Sequence, residues 1–230
     1  MGIFEYYLSY YAFMLPGIII ALWASFRVKS AFNKYSRVTN SRGLTGAMAA
    51  ERVLQMNGVN GVRIERVSGN LTDHYDPRTN VIRLSDSVYD SASVAAVGVA
   101  AHEAGHAVQY AKNYAPIKLR AAIIPICNFG SQLSLPLIIL GSILLSDLLV
   151  GIGIALFSLS VIFQLVTLPV EFNASRRAIE AVSDGALLAD GEVKGARKVL
   201  SAAAMTYVAS LLQSLLILLY YITRYGNRRK

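Results

Sequence analysis

The stretch AAIIPICNFGSQLSLPLIILGSILLSDLLVGIGIALFSLSVIFQLVTLPV at positions 121–170 carries a single charged residue, Asp147. Split at that aspartate, it gives two apolar segments, 121–145 and 148–170. Each segment is long enough to cross a bilayer as a helix, which takes about 20 residues. A buried core helix is the alternative for one segment alone, but not for two in succession. The stretch therefore predicts a helical hairpin in a membrane.

Two more segments without charge, 6–26 and 199–223, raise the number of candidate spans to four. The first segment begins after an acidic residue, Glu5, and exceeds the usual apolar core of a signal peptide. Its aromatic residues are typical of a membrane interface, where such rings are enriched. They are Tyr6, Tyr7, Tyr10, Tyr11 and Trp23. The first segment is therefore expected to remain as a span.

The positive charge of the chain lies at the ends of these apolar segments. The net charge is +8, with 54% hydrophobic and 16% charged residues. Because Lys and Arg are enriched in cytoplasmic loops, residues 28–120 and 171–198 are expected to face the cytoplasm. The C-terminal Arg224, Arg228, Arg229 and Lys230 do not fit this pattern, so 199–223 is expected to be either a span or an interfacial helix. Nucleic-acid binding is disfavoured because the basic residues follow membrane edges.

A metal-binding pattern, GVAAHEAGHAVQ at positions 98–109, precedes the hairpin. On a helix, His102 and His106 lie four residues apart and share one face. That spacing suits two imidazole ligands of one Zn²⁺, with Glu103 beside it to take a proton from a water that the metal activates. Two histidines that only pack on a helix are the alternative. The lone Cys127 excludes a disulfide framework or a cysteine-based metal site.

The region from about 40 to 118 is the only sizeable water-soluble part of the sequence. Residues 44–57 predict a helix with Thr45 as its N-cap, and 93–112 predict the helix that carries the two histidines. Residues 61–67 and 79–85 alternate apolar and polar side chains and predict an antiparallel sheet, with 70–78 as a loop between them. If 79–85 is an edge strand, it offers backbone groups to an extended substrate. An ordinary sheet strand is the alternative.

A third protein ligand is needed, because catalytic zinc takes three protein ligands and a water. The only other histidine is His74. Glu171 returns to the side of His106 after two spans, and a carboxylate so close to hydrocarbon is costly unless it is paired or bound to a metal. A helix start after Pro169 is the alternative for this residue. Glu180 and Asp184 are weaker candidates, and Asp147 is expected on the opposite face.

Three motifs together resemble the YugP-like family of neutral zinc metallopeptidases of bacterial membranes. They are LTDHYDPRTNVIRLS, VAAHEAGHA and LPVEFNASRRA, and the resemblance covers almost the whole chain. The chain is more distantly similar to the HtpX and CAAX prenyl protease group. The resemblance implies His102, His106 and Glu171 as zinc ligands and Glu103 as the base. In the wider group an acidic residue one turn after the ligand glutamate often supports a ligand histidine.

At that position this chain has Ser175, with Asn173 nearby. The support is therefore expected from Asp73 or Asp76, or is absent. His74 is a candidate for binding the oxyanion of the reaction, with a turn residue bonded to Asp73 or Asp76 as the alternative. Tyr75 is a weaker candidate for that role. Arg176 and Arg177 are expected either to orient a carboxylate or only to mark the membrane edge.

These patterns predict a mainly α membrane protein with three or four transmembrane helices and a small α+β zincin-like domain. The expected parts are a first transmembrane helix (1–27), a cytoplasmic α+β part (28–120), the hairpin (121–170), a segment with the third ligand (171–198) and a C-terminal helix and tail (199–230). The predicted function is that of a zinc endopeptidase of the bacterial cell membrane, acting on membrane or membrane-proximal proteins. A zinc-binding adaptor or chaperone is the alternative, and a transporter is disfavoured because the spans carry almost no ionisable groups.

Overall fold

The computed structural model describes the backbone of residues 3–226 and the side chains of residues 8 and 11–225. Six helices and three strands follow one another in this part of the chain. They are α1 (Ile3–Tyr35), α2 (Gly46–Met56), β1 (Arg63–Val67), β2 (His74–Asp76), β3 (Val81–Ser85), α3 (Val94–Ala111), α4 (Ala115–Ile143), α5 (Asp147–Asp184) and α6 (Asp190–Gly226). The side chains of Tyr6, Tyr7 and Tyr10, and Arg228, Arg229 and Lys230, lie outside the described residues.

The prediction of a mainly α membrane protein with a small α+β part is confirmed. Four described helices, α1, α4, α5 and α6, are long and apolar enough to cross a membrane. The chain divides into two compact units. The helical unit contains residues 1–24, 119–168 and 206–230, and the α+β unit contains residues 25–118 and 169–205.

The helical unit has an apolar surface and close contacts between its helices. Leu22, Phe129 and Ile143 are 66%, 65% and 72% exposed. An apolar surface of this kind suits contact with lipid. Inside the unit, Gly153 lies against the backbone oxygen of Ser134, where a Cβ would come within 2.8 Å. Small residues at such contacts let helices approach closely, which is the usual packing of helices in lipid.

The predicted helices of the α+β unit are confirmed with their caps. Thr45 Oγ1 accepts a hydrogen bond from the backbone N–H of Met48 at the start of α2. Ser93 caps α3 in the same way through the N–H of Ala96. The core of the unit is apolar and joins α2, β3 and α3 to the parts of α5 and α6 in this unit. Buried small residues on α3 make this packing close.

The sheet corrects two sequence predictions, because β3 is its central strand and the sheet is mixed. The strand order is β1-β3-β2, with β1 parallel and β2 antiparallel to β3. The alternation of apolar and polar side chains in 79–85 had suggested an edge strand of an antiparallel sheet. In the structure the guanidinium of Arg83 lies 3.2 Å from Asp76 Oδ2 and 3.8 Å from Glu65 Oε2, on the two flanking strands. A charge paired from both sides is compatible with a central strand.

The segment 70–78 also differs from the prediction, since it contains the short strand β2 rather than only a loop. His74 pairs with Arg83 and Asp76 pairs with Val81. The strand is three residues long and flanked by turn-forming residues. It is therefore too short to be predicted from an alternation of apolar and polar side chains. Both edges of the described sheet, β1 and β2, are therefore strands other than 79–85.

Candidate metal centre

Three predicted ligands from two helices come together in the α+β unit. One ligand atom from each of His102, His106 and Glu171 lies within 4.8 Å of the others. Glu171 Oε2 is 3.3 Å from His102 Nε2 and 3.6 Å from His106 Nε2. The two imidazole rings are 4.7 Å apart between centroids and nearly perpendicular. Two nitrogen donors and one carboxylate oxygen thus converge on one point.

Helix geometry and one glycine bring these ligands together. The four-residue spacing on α3 puts both histidines on one face. Gly105 lies between them, and a Cβ at this position would come within 2.9 Å of the backbone oxygen of Ala174 on α5. Its absence allows α3 to approach α5 one turn from Glu171. Any larger residue at position 105 would push apart the two helices that carry the ligands.

The donor set and its spacing fit zinc. Zinc in proteins is tetrahedral, with bonds of about 2.0–2.1 Å to imidazole nitrogen and carboxylate oxygen, which places ligand atoms about 3.3 Å apart. The observed separations between Glu171 and the two histidine nitrogens, 3.3 and 3.6 Å, agree with that value. Catalytic zinc sites use three protein ligands and leave a fourth position for water or substrate.

The surroundings of the three ligands favour a cation. Glu171 is 2% exposed, between Val170 and Ala174 of the same helix region, which are fully buried. A buried carboxylate is costly without a positive partner. Burial lowers the pKa of His106, but the hydrogen bond with Glu171 and the charges of Glu103 and Glu171 outweigh it, so that the pKa is raised. The same negative charges attract a metal ion, which replaces the proton.

Glu171 is in the interior of α5, not at a helix start. The helix runs from Asp147 to Asp184 and contains Pro169. The alternative interpretation of Glu171 as a residue favoured by a helix N-terminus is therefore wrong. Of the weaker candidates, Glu180 is exposed and lies 3.8 Å from Arg176. Asp147 lies in the first turn of α5.

A neutral side chain contacts Nδ1 of each histidine, the ring nitrogen that does not face Glu171. Gln109 Oε1 lies 3.0 Å from His106 Nδ1, and Ser175 Oγ lies 3.2 Å from His102 Nδ1. Ser175 thus occupies the acidic position of the wider group and contacts a ligand histidine. Gln109 was not among the predicted site residues, although its position three residues after His106 on the same helix face was a usable signal.

The two aspartates suggested as support make other contacts. Asp73 accepts hydrogen bonds from the backbone N–H and the hydroxyl of Ser85. Asp76 accepts from the N–H of Arg78, the hydroxyl of Thr79 and the guanidinium of Arg83. These bonds fix the chain before and after β2. Among the hydrogen bonds of the described residues, neither aspartate contacts His102 or His106.

His74 and Tyr75 lie on the edge strand β2. His74 is exposed, and its Nδ1 lies 2.8 Å from the backbone oxygen of Thr72. The alternative prediction, a hydrogen bond with Asp73 or Asp76, is therefore not what Nδ1 of this ring makes. The hydroxyl of Tyr75 donates to Asn80 Oδ1, and its ring lies 5.6 Å from that of Tyr110 on α3. His74 is outside the three-ligand cluster, and its role toward an oxyanion stays a prediction.

Asp73 gives a testable dependence of stability on pH. Burial raises its pKa, the bonds from Ser85 oppose this, and the charge of Glu103 adds to the rise. A carboxyl whose pKa is higher in the folded state loses stability as pH rises from the unfolded-state to the folded-state pKa. Asp73→Asn does not titrate there. Its Tm relative to the parent should therefore rise between pH 4 and pH 7 in thermal unfolding of the purified chain.

Asp73→Ala is the control for this experiment. It removes the acceptor of the fully buried Ser85. It should lower the free energy of unfolding by about 1–3 kcal/mol at every pH in that range. A constant Tm difference between Asp73→Asn and the parent from pH 4 to pH 7 would contradict the raised pKa.

The fold and the cluster define a class of protein: a chain with membrane-spanning helices and a three-ligand centre of the kind that zinc peptidases use. The family model described as "Putative neutral zinc metallopeptidase" matches residues 10–226, and the chain belongs to this family. The chain is also 50% identical over 211 residues to "Putative membrane protease YugP" of Bacillus subtilis (strain 168). The match covers 91% of this chain and 93% of that protein. No solved structure matches significantly.

These comparisons agree with the sequence-based predictions of family and cofactor. The predicted resemblance to this family is confirmed, and so is zinc as the cofactor, given the family and the cluster of His102, His106 and Glu171. A family of peptidases acts on peptide bonds, and the four apolar helices agree with a membrane protein. The individual roles of the site residues remain proposals.

Proposed function

We propose that this protein is a zinc endopeptidase of the HExxH type that cleaves membrane or membrane-proximal proteins at the cytoplasmic face of a bacterial membrane. One observation carries the proposal: Glu103 directly follows His102 on α3 and is outside the set of three ligands. Its side chain is almost buried, and its charge acts on His106. A structural zinc site has no need of such a carboxylate. The cytoplasmic facing rests on the basic residues of 28–120 and 171–198.

The proposed mechanism assigns one role to each residue of the site. His102, His106 and Glu171 would hold Zn²⁺. Bound zinc supplies Lewis acidity at the scissile carbonyl and lowers the pKa of water toward about 7. Glu103 takes a proton from the attacking water and passes it to the leaving amine. Burial of Glu171 keeps water away from the back of the site, which strengthens each electrostatic contact.

The substrate is proposed to pair with β2 rather than with residues 79–85. The central strand β3 has a neighbour on each side and has no free edge in the described sheet. β2 is at the sheet edge, and Tyr75 places it beside Tyr110 of the ligand-bearing helix α3. An extended peptide along β2 would use backbone hydrogen bonds. His74 on this strand is a candidate for contacting the developing oxyanion.

The test is a cleavage assay on the purified full chain in detergent, with casein as substrate and self-cleavage as a second readout. We expect hydrolysis that a zinc chelator abolishes and that added Zn²⁺ restores. Zinc content is measured on the same samples. Hydrolysis that survives complete metal removal would contradict the proposal. A fully zinc-loaded chain that cleaves neither substrate would favour the adaptor or chaperone alternative.

A further inference from the structure

Gln109 is a fully buried amide whose polar atoms all have partners. Its Nε2 donates to the backbone oxygen of Val170 at 2.8 Å and to Asn173 Oδ1 at 3.0 Å. Its Oε1 lies 3.0 Å from Nδ1 of His106. The amide therefore links the helix that carries both histidines to the helix that carries Glu171, one residue from that ligand.

The orientation of this amide follows from its partners. A backbone carbonyl only accepts hydrogen bonds, so the NH₂ group of Gln109 must face Val170. Arg177 Nε donates to Asn173 Oδ1 at 2.8 Å. Since a guanidinium has no acceptor, the atom of Asn173 that faces both Arg177 and Gln109 must be its oxygen. Two independent contacts thus turn the oxygen of Gln109 toward His106.

This orientation selects one tautomer of His106. Because Gln109 Oε1 only accepts, it can hydrogen-bond to His106 only when Nδ1 carries a proton, which is the case when Nε2 binds a metal ion. The lone pair is then on Nε2, the atom that lies 3.6 Å from Glu171 Oε2. Hydrogen bonds to the outer ring nitrogen are the usual way in which proteins fix a metal-binding imidazole.

Among the described residues, Nδ1 of His102 has no partner that only accepts hydrogen bonds. Its Nδ1 contacts the hydroxyl of Ser175 at 3.2 Å, and a hydroxyl both donates and accepts. Ser175 also lines an open cavity of about 500 Å³, together with Arg176, Ile179 and Leu200. The two histidines of one site are therefore supported differently, one by a closed amide network and one by a single rotatable hydroxyl.

We infer that Gln109 is a positioning residue that fixes Nε2 of His106 as the metal-binding atom, with Asn173 and Arg177 holding Gln109 in place. The inference concerns metal binding and does not depend on peptidase activity. It assigns a site role to Arg177, one of the two arginines after Glu171. Arg176 instead pairs with Glu180 at the surface.

The first experiment measures Zn²⁺ affinity of the full chain in detergent by competition with a chromophoric chelator. Loss of a residue that supports a ligand typically lowers metal affinity 10–100-fold. We expect that loss for Gln109→Met, which fills the same space without an acceptor. Gln109→Glu restores an acceptor for His106 and should recover part of the affinity. Ser175→Ala, the matched control at the other histidine, should lose less than about tenfold.

The second experiment reads the tautomer directly. The chain has three histidines, so selective ¹⁵N labelling of histidine gives only three imidazoles to assign by NMR. In the zinc-loaded parent, His106 should carry its proton on Nδ1. Gln109→Met should show a mixture, and Arg177→Met, which leaves Gln109 in place, a smaller change in the same direction.

Two results would overturn the inference. One is an Nε2–H tautomer for His106 in the zinc-loaded parent chain. The other is a Gln109→Met variant that binds zinc within about threefold of the parent, when Ser175→Ala loses as much or more. Circular dichroism and Tm separate these results from misfolding, and the Arg177→Met variant tests the same network if Gln109→Met does not fold. Neither result would affect the proposed peptidase activity, which depends on Glu103.

Discussion

Replacing Glu103 with Gln is expected to slow peptide hydrolysis by at least about 100-fold while zinc stays bound. A positioned acid–base group contributes about 10²–10⁴-fold to rate, and the amide cannot take a proton from water. The amide has the same shape as the carboxylate, so the packing of α3 around the 9% exposed side chain is retained. Because Glu103 is outside the three-ligand cluster, zinc content should match the parent.

Two measurements are made on each sample: the initial rate of casein cleavage and the zinc content per chain. Glu180→Gln is the matched control, since it makes the same chemical change in an exposed carboxylate that pairs with Arg176. It should cleave at the parent rate. If Glu103→Gln cleaves as fast as Glu180→Gln, Glu103 is not the base. If Glu103→Gln loses its zinc, its role would be to hold the metal.

The ligand cluster was predictable because each ligand has a strong local constraint. The spacing of His102 and His106 fixes two donors on one helix face without knowledge of the fold. Glu171 was predicted because a carboxylate at the end of an apolar span is energetically costly unless it has a positively charged partner or a metal. The structure places all three within 4.8 Å. The spans were equally predictable, because an apolar run of about 20 residues without charge is typical of a membrane-crossing helix.

The sheet was not predictable in the same way, because its order depends on pairing between distant residues. Only the positions of Glu65 and Asp76 on the neighbouring strands show why Arg83 is tolerated in a central strand. The three-residue strand β2 is too short for a period to be read. As a consequence, β2 rather than 79–85 is the strand proposed to pair with the substrate.

The support of the histidines was the least predictable part of the site. The sequence predicted support from Asp73 or Asp76, or none, since a carboxylate is a common partner of a metal-binding histidine. In the structure the amide of Gln109 contacts Nδ1 of His106 and the hydroxyl of Ser175 contacts Nδ1 of His102 instead. Only Gln109 had a usable signal in the sequence, its position three residues after His106 on the same helix face. Gly105 had no such signal, since its role appears only when Ala174 of α5 is seen against it.

Neutral support has a consequence for the charge of the site. If His102, His106 and Glu171 held Zn²⁺ as proposed, Glu171 would be the single charged ligand of the +2 ion, with Glu103 next to His102 in the sequence. A carboxylate behind a histidine would add negative charge and reduce the Lewis acidity of the metal. Amide and hydroxyl partners orient the rings without that reduction. The single carboxylate ligand should therefore dominate metal retention, which makes Glu171 the most informative ligand to change.

Replacing Glu171 with Ala is expected to lower zinc affinity by on the order of 100-fold or more and to abolish chelator-sensitive cleavage. Loss of a group that only supports a ligand costs about 10–100-fold, and loss of a ligand should cost at least as much. Glu171 is 2% exposed, so water does not replace the missing donor easily. Zinc content after dialysis at matched free Zn²⁺, measured on the full chain, gives the result.

Glu171→Gln accompanies the alanine variant because alanine leaves a cavity between α3 and α5. The amide fills that space but supplies a weaker, neutral donor, so its zinc affinity should lie between those of the parent and Glu171→Ala. Glu180→Ala tests the rival carboxylate nine residues further along α5 and should keep full zinc. Full zinc in Glu171→Ala, combined with loss in Glu180→Ala, would move the third ligand to Glu180. Because His102 and His106 share one face of α3, zinc loss in Glu171→Ala alone would show that the metal needs both helices.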